Sequence, residues 1–402
     1  MSKMFQAGPT GETIKSDCHV FYTPGSEALR VELKSKVEVL FSNALRALVE
    51  QTFSSLGIKT GRVSINDFGA LPFVMMAQIE TVVKRAHPEL KLIALPDFKE
   101  HAKYSSSFGR FRRSRLYLPG NQPKLFLNAG IHKPDCIILD LEDSVPPAEK
   151  DGARFIVRNA LRTLDFFGSE RMVRINQGEL GMKDLEAVIP HNVHTVLLPK
   201  AETAEQVVAM EAKVNEILKK EGLKQQVYYM PILESALGIL NAREIAMASK
   251  NNVGLAMGLE DYTADIGTQR TLDGKESFFA RSMLVNAARA AGIQPIDTVF
   301  SDVSNEAALR ASVQVTKAMG FDGMGCIHPR QIRPIHEEFA PSEVEITKAK
   351  TIILAADEAE ARGLGVIAVG SKMIDPPVVK RAERTIKMAV DTGLLSENWK
   401  SE

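Results

Sequence analysis

From about Ile137 onward the chain repeats one rhythm: a short run rich in Val, Ile and Leu, a polar or charged residue at its end, then an amphipathic stretch. Such runs read as buried strands and the stretches between them as helices. The pattern predicts strands at Leu116–Leu118, Cys136–Leu141, Met172–Asn176, Thr195–Pro199, Tyr228–Leu233, Val253–Gly258, Ile296–Val299 and Met324–Ile327. Eight βα units within about 215 residues fit a closed (β/α)8 TIM barrel better than an open sheet, which usually has fewer strands and a Gly-rich cofactor loop.

The flanks read differently. Val31–Lys34 and Val63–Asp67 look like strands and Val39–Phe53 and Phe73–Arg85 like helices, with a turn at Asp67-Phe68-Gly69-Ala70, which makes a small α+β unit. Residues 96–112 turn polar around Ser105-Ser106-Ser107 and are expected to be a linker, with a boundary near residue 105. After Ile327 come several prolines, a helical run from Glu343 to Arg362, Gly363-Leu364-Gly365, and a last helix near Pro377–Thr392. The expected class is therefore α/β: a small α+β domain over residues 1–100, a TIM barrel over 110–340, and a C-terminal helical lid over 341–402.

Composition excludes several functions. Fifty basic and fifty acidic residues cancel, and outside 110–115 no basic cluster is dense enough to track phosphates, so nucleic acid is not an expected partner. Cys18, Cys136 and Cys326 lack the spacing of a disulfide framework or a zinc site. No apolar run approaches the roughly 18 residues that span a bilayer, and the first residues lack a signal-peptide core, so no membrane partner and a cytoplasmic location are expected.

In a TIM barrel the chemistry sits at the C-terminal ends of the strands. Those ends carry Asp140, Glu142 and Asp143, then Arg174, Lys200, Glu234, Glu260 and Asp261, and His328. Carboxylates converging on one mouth repel unless a cation is present, and oxygen donors with a single His favour Mg²⁺ or Mn²⁺ over zinc. Any one of these acids could instead cap the helix that follows it. Arg174 lies inside an apolar strand and needs an anionic partner, either a structural carboxylate or a substrate carboxylate held in a bidentate fork.

The stretches RSRLYLPG at 113–120, LDLEDSV at 139–145, VRIN at 173–176, LPKAE at 198–202, LES at 233–235, GLEDYTADIG at 258–267 and CIHPRQI at 326–332 resemble the citrate lyase beta subunit and its HpcH/HpaI aldolase relatives. The likeness runs on through Asp375, covering about 110–395. It implies a Mg²⁺-dependent carbon–carbon lyase acting on an acyl thioester, with Glu234 and Asp261 as metal ligands and Arg174 on the keto-acid carboxylate. It also puts Arg113 and Lys200 among the substrate-binding residues, and makes Asp375 the proton donor, commonly that of a neighbouring subunit. Read from the residues alone, Asp375 before Pro376-Pro377 is a helix N-cap. The group that takes the substrate hydroxyl proton stays open between Glu142 and a metal-bound water.

The first 95 residues resemble the citrate lyase acyl carrier (gamma) subunit, in which a serine bears a CoA-like prosthetic group. The family places that serine two residues before an acid, where this chain has Lys15; Ser16 is the nearest serine, and Thr13 is an alternative. Expected partners are a citrate lyase alpha (transferase) subunit and further copies in a trimer or hexamer. Three functions follow: cleavage of a citryl thioester delivered by the fused carrier, cleavage of free citramalyl-CoA or malyl-CoA, and a non-catalytic scaffold.

Overall fold

The computed structural model describes residues 3–11, 14–362, 367–369 and 372–401; Thr13, Gly363-Leu364-Gly365 and Gly370 lie outside the described residues. The N-terminal unit is a four-stranded sheet with two helices. Strands β1 (Phe5–Ala7), β2 (Cys18–Ala28) and β3 (Arg30–Ser35) precede α1 (Glu38–Ser55), and β4 (Thr60–Asp67) precedes α2 (Pro72–Ala86). The sheet order is β1-β2-β4-β3, so the longest strand lies inside it. Strand β2, which the sequence reading did not include, carries Pro24-Gly25 within an irregularity between Thr23 and Ala28.

Eight parallel strands close the barrel: β5 (Ser114–Pro119), β6 (Cys136–Asp140), β7 (Glu170–Arg174), β8 (Thr195–Leu198), β9 (Tyr228–Leu233), β10 (Gly254–Met257), β11 (Gln294–Val299) and β12 (Gly323–Cys326). Around them lie α3 (Lys150–Thr163), α4 (Gly178–Val188), α5 (Ala204–Lys220), α6 (Ala236–Leu240), α7 (Ala242–Met247), α8 (Leu259–Asp265), α9 (Phe278–Ala291), α10 (Glu306–Met319) and α11 (Ile332–Phe339). Alternation along the strands turns Ile138, Met172, Met230 and Ile232 into the barrel and Ile137, Leu139 and Val173 toward the helices. The tail is α12 (Glu343–Ala361), the short pair β13 (Ile367–Val369) and β14 (Lys372–Ile374), and α13 (Pro376–Asp391). Among the described residues no helix is long and apolar enough to cross a membrane.

The expected linker at 96–112 is instead a strap packed against the barrel. Arg112 is fully buried and donates from Nε and Nη2 to Glu170 at 2.7 and 2.9 Å, Ser106 donates to the same carboxylate at 2.6 Å, and the Tyr104 hydroxyl donates to the Ser169 carbonyl at 2.6 Å. Those polar residues are there to satisfy a buried charge at the N-terminal end of β7, not to solvate a tether.

The N-terminal unit is docked in the same way. Helix α2 packs on α3, and the carboxylate of Glu80, fully buried, accepts from both Nη atoms of Arg158 at 3.0 and 2.8 Å. Burial raises the Glu80 pKa, but Arg158 outweighs it and the carboxyl ends below its ordinary value. Breaking a buried pair from one side costs about 3–5 kcal/mol. Glu80→Gln should therefore lower the first thermal transition by roughly 6–20 °C, at about 2–4 °C per kcal/mol. The double change Glu80→Leu, Arg158→Met should recover most of the loss. Differential scanning calorimetry reads both, and a single-variant shift under about 2 °C would show the pair to be loose.

Candidate active site

The strand ends surround a cavity of about 330 Å³ at the C-terminal mouth, lined among others by Arg115, Tyr117, Asp140, Arg174, Glu234 and Asp261. Glu234 follows β9 and is almost completely buried. Its Oε1 accepts from the backbone N–H of Lys200 at 2.6 Å, an orientation available because Lys200 takes a left-handed conformation with φ of 47°. Its Oε2 lies where a Cβ on residue 258 would come within 2.4 Å, so Gly258 is glycine to leave room for this carboxylate. Burial pushes the Glu234 carboxyl up to about 8, and the nearby charges of Asp261 and Glu142 add to that.

Asp261 enters from the first turn of α8 and is half-buried. The Lys200 ammonium lies 3.9 Å from Asp261 Oδ1, 3.9 Å from Glu142 Oε1 and 4.0 Å from Asp143 Oδ2. Burial lowers its pKa less than these carboxylates together raise it. A carboxyl raised mainly by burial, next to an ammonium set among three further carboxylates, makes a cluster of oxygen donors of the kind that holds a divalent ion. Among the described residues no three potential ligands stand close enough to enclose an ion. A Mg²⁺ site needs only one or two protein carboxylates, because the ion keeps several waters. Glu234 and Asp261 fit as its protein ligands.

Arg174 ends β7 with its guanidinium over the Tyr117 ring, 5.4 Å from the centroid. Nε and Nη2 each donate to Asp140 at 2.7 Å, and Nη1 stands 2.9 Å from Glu142 Oε2 without the alignment of a hydrogen bond. Burial works against the charge, but the bonds to Asp140 hold Arg174 above its ordinary pKa, and Arg174 in turn holds Asp140 below its own despite burial. Asp140 thus answers the need for a structural partner. Arg174 still has N–H groups left on Nη1 and Nη2 for a second anion.

Three expected site residues lie elsewhere. Arg113 precedes β5 at the N-terminal end of the barrel, where Nε and Nη2 both donate to Asp135 at 2.9 Å, so its assignment to substrate binding is corrected: the ion pair ties it to the end opposite the mouth. His328 does not line the cavity; its Nδ1 accepts from the Arg330 N–H at 3.1 Å, as a cap. Asp375 is exposed, caps α13 by accepting from the Val378 N–H at 3.2 Å, and does not line the cavity of its own barrel. Ser16, with φ of 58°, is half-buried beside Asp17, whose carboxyl burial pushes up to about 7. Sequence reading missed Asp140 as the partner of Arg174, and missed Arg115 and Tyr117 as cavity walls. The inward alternation of 115, 117 and 119 was the available signal.

The family model for HpcH/HpaI aldolase/citrate lyase matches residues 113–329, and that for the malonate decarboxylase delta subunit (MdcD) matches 6–86. The chain is 42% identical to the citrate lyase subunit beta of Leuconostoc mesenteroides subsp. cremoris over 70% of its own length and 94% of that protein. It is 32% identical to the mitochondrial citramalyl-CoA lyase of Homo sapiens, over 75% of its length and 92% of that protein. A crystal structure of protein CitE from Mycobacterium tuberculosis in complex with magnesium, acetoacetate and coenzyme A superposes with a TM-score of 0.57 at 31% identity, covering 70% of this chain and 99% of that one.

Proposed function

The chain belongs to the HpcH/HpaI aldolase/citrate lyase family and is a carbon–carbon lyase, and on that footing we propose that it cleaves a citryl thioester to oxaloacetate and an acetyl thioester with Mg²⁺. The observation that carries the citryl reading is its higher likeness to citrate lyase beta subunits than to citramalyl-CoA lyases, on a chain that also brings a carrier-like unit. Residues 1–100, 110–340 and 341–402 then act as carrier, lyase and lid. Magnesium, as in the related complex with acetoacetate and coenzyme A, would be held by Glu234 and Asp261 and supply Lewis-acid stabilisation of the developing oxyanion.

The chain's own residues do the rest. Asp140 fixes Arg174, and Arg174 grips the carboxylate geminal to the hydroxyl, so the bond to be broken is held in one orientation. Glu142 is the proposed acceptor of the hydroxyl proton: it is buried, its carboxyl is raised by that burial against the opposing pull of Arg174, and Gln177 holds it at 3.0 Å. Asp375 protonates the thioester enolate. Mn²⁺ is the proposed substitute metal, and a transferase alpha subunit and further copies of the chain are the proposed partners.

Delivery by the fused carrier rests on Ser16 bearing a CoA-like group. The turn at Gly8-Pro9 and the mouth-side loop residues Asn121 and Glu149 share one narrow cleft, so this unit's N-terminal loop lies beside the barrel loops. Two measurements test the proposal. Purified protein with Mg²⁺ should release oxaloacetate from citryl-CoA faster than pyruvate from citramalyl-CoA; the reverse order would move the substrate to the citramalyl class. Intact-mass spectrometry of protein from its native host should show an adduct that Ser16→Ala abolishes; an unmodified chain would leave free acyl-CoA as the substrate form.

A further inference from the structure

Two arginines line the mouth cavity, and they are partnered differently. Arg174 has Asp140. Arg115 is only 1% exposed, yet among the described residues it forms no ion pair. Its Nη1 rests 3.1 Å from the Met230 sulfur, a weak acceptor, and its Nε has no partner. In the barrel register its neighbours are Cys136 and Gly325, small residues on either side that leave the long side chain room beside Ile138, Met172 and Ile232, and the buried carboxylate of Glu170 at the N-terminal end of β7 is already taken by Arg112. A guanidinium kept there without a counter-ion is unfavourable unless an anion arrives to meet it.

Arg115 lies two inward positions below Pro119 on β5, deeper than the ends of β9 and β10 that carry Glu234 and Asp261. We propose that Arg115 is the seat of a second substrate carboxylate, borne on the CH₂ arm of a citryl group and absent from citramalyl and malyl groups. The inference rests on the citryl reading above and gives it a residue. The hydroxyl and its geminal carboxylate stay at the mouth with Arg174 and the metal ligands, and the arm reaches down the barrel past Tyr117 to the free guanidinium. Discrimination then comes from the penalty of leaving a buried charge unmet when the arm is missing.

The test compares wild type with Arg115→Met and Arg115→Lys, on citryl-CoA and citramalyl-CoA and in the binding of oxaloacetate and pyruvate with Mg²⁺ present. Arg115→Met should lower the citryl-to-citramalyl ratio of kcat/KM by roughly 10²-fold, the range expected for lost hydrogen bonds to a charged group, and bring oxaloacetate binding down to that of pyruvate. Arg115→Lys should restore part of both. Removing an unpaired buried charge should not lower the melting temperature, so a variant that unfolds overturns the proposal. So does an unchanged ratio, or equal losses on both substrates. A wild type that prefers citramalyl-CoA defeats the citryl reading itself, and that outcome is read without any variant.

Discussion

Glu234→Gln should cut Mg²⁺-dependent turnover by roughly 10³-fold or more, because losing the ligand forfeits several kcal/mol of oxyanion stabilisation. The fold should not suffer. The glutamine keeps an acceptor for the Lys200 N–H and has the same shape against Gly258. In metal-free protein the substitution should even stabilise: the folded carboxyl, near 8, sits above the ordinary glutamate value, so wild type loses stability as pH rises toward 8, whereas a glutamine has no proton to lose. With EDTA present the variant should melt no lower than wild type at pH 6, and the gap in its favour should widen up to pH 8. Turnover by the variant in chelator that matched wild type with Mg²⁺ would take the metal out of the reaction.

The barrel was legible because most strands are apolar runs closed by a charged residue, and every predicted barrel run falls on an observed strand with ends differing by at most two residues. Those small errors mattered most at β5. Starting the strand at Leu116 left Arg115 outside it, hiding an arginine that alternation turns into the cavity. Asp140 was visible as a charge at a strand end but not as the clamp on Arg174, since that needs the pairing of β6 with β7 in register. Arg113 failed for the opposite reason: a motif carries no sense of which end of the barrel each of its residues occupies, and only the structure shows Asp135 waiting there. The strap at 96–112 was polar as read, but polarity that serves buried ion pairs looks in sequence like polarity that serves water.

Turnover by Asp375→Asn should fall by at least roughly 10²-fold if Asp375 is the proton donor, the lower range for a general acid. Asparagine caps a helix about as well as aspartate, so the cap on α13 should survive and the melting temperature should hold. The geometry bears on whose active site Asp375 serves. Arg384 of α13 pairs with Asp322, the residue just before β12, at the end of the barrel opposite the mouth. A helix anchored there keeps its first residue away from its own cavity, so Asp375, as the proposed donor, would act on a neighbour's. Asp375→Asn and Glu234→Gln subunits, each inactive alone, should then complement when mixed. At equal proportions a mouth is intact in half the cases and the tail that meets it in half, so about one quarter of wild-type activity should return in a closed symmetric ring. No recovery on mixing would fold the tail over its own barrel, and near-normal turnover by Asp375→Asn alone would leave this residue as the cap it visibly is.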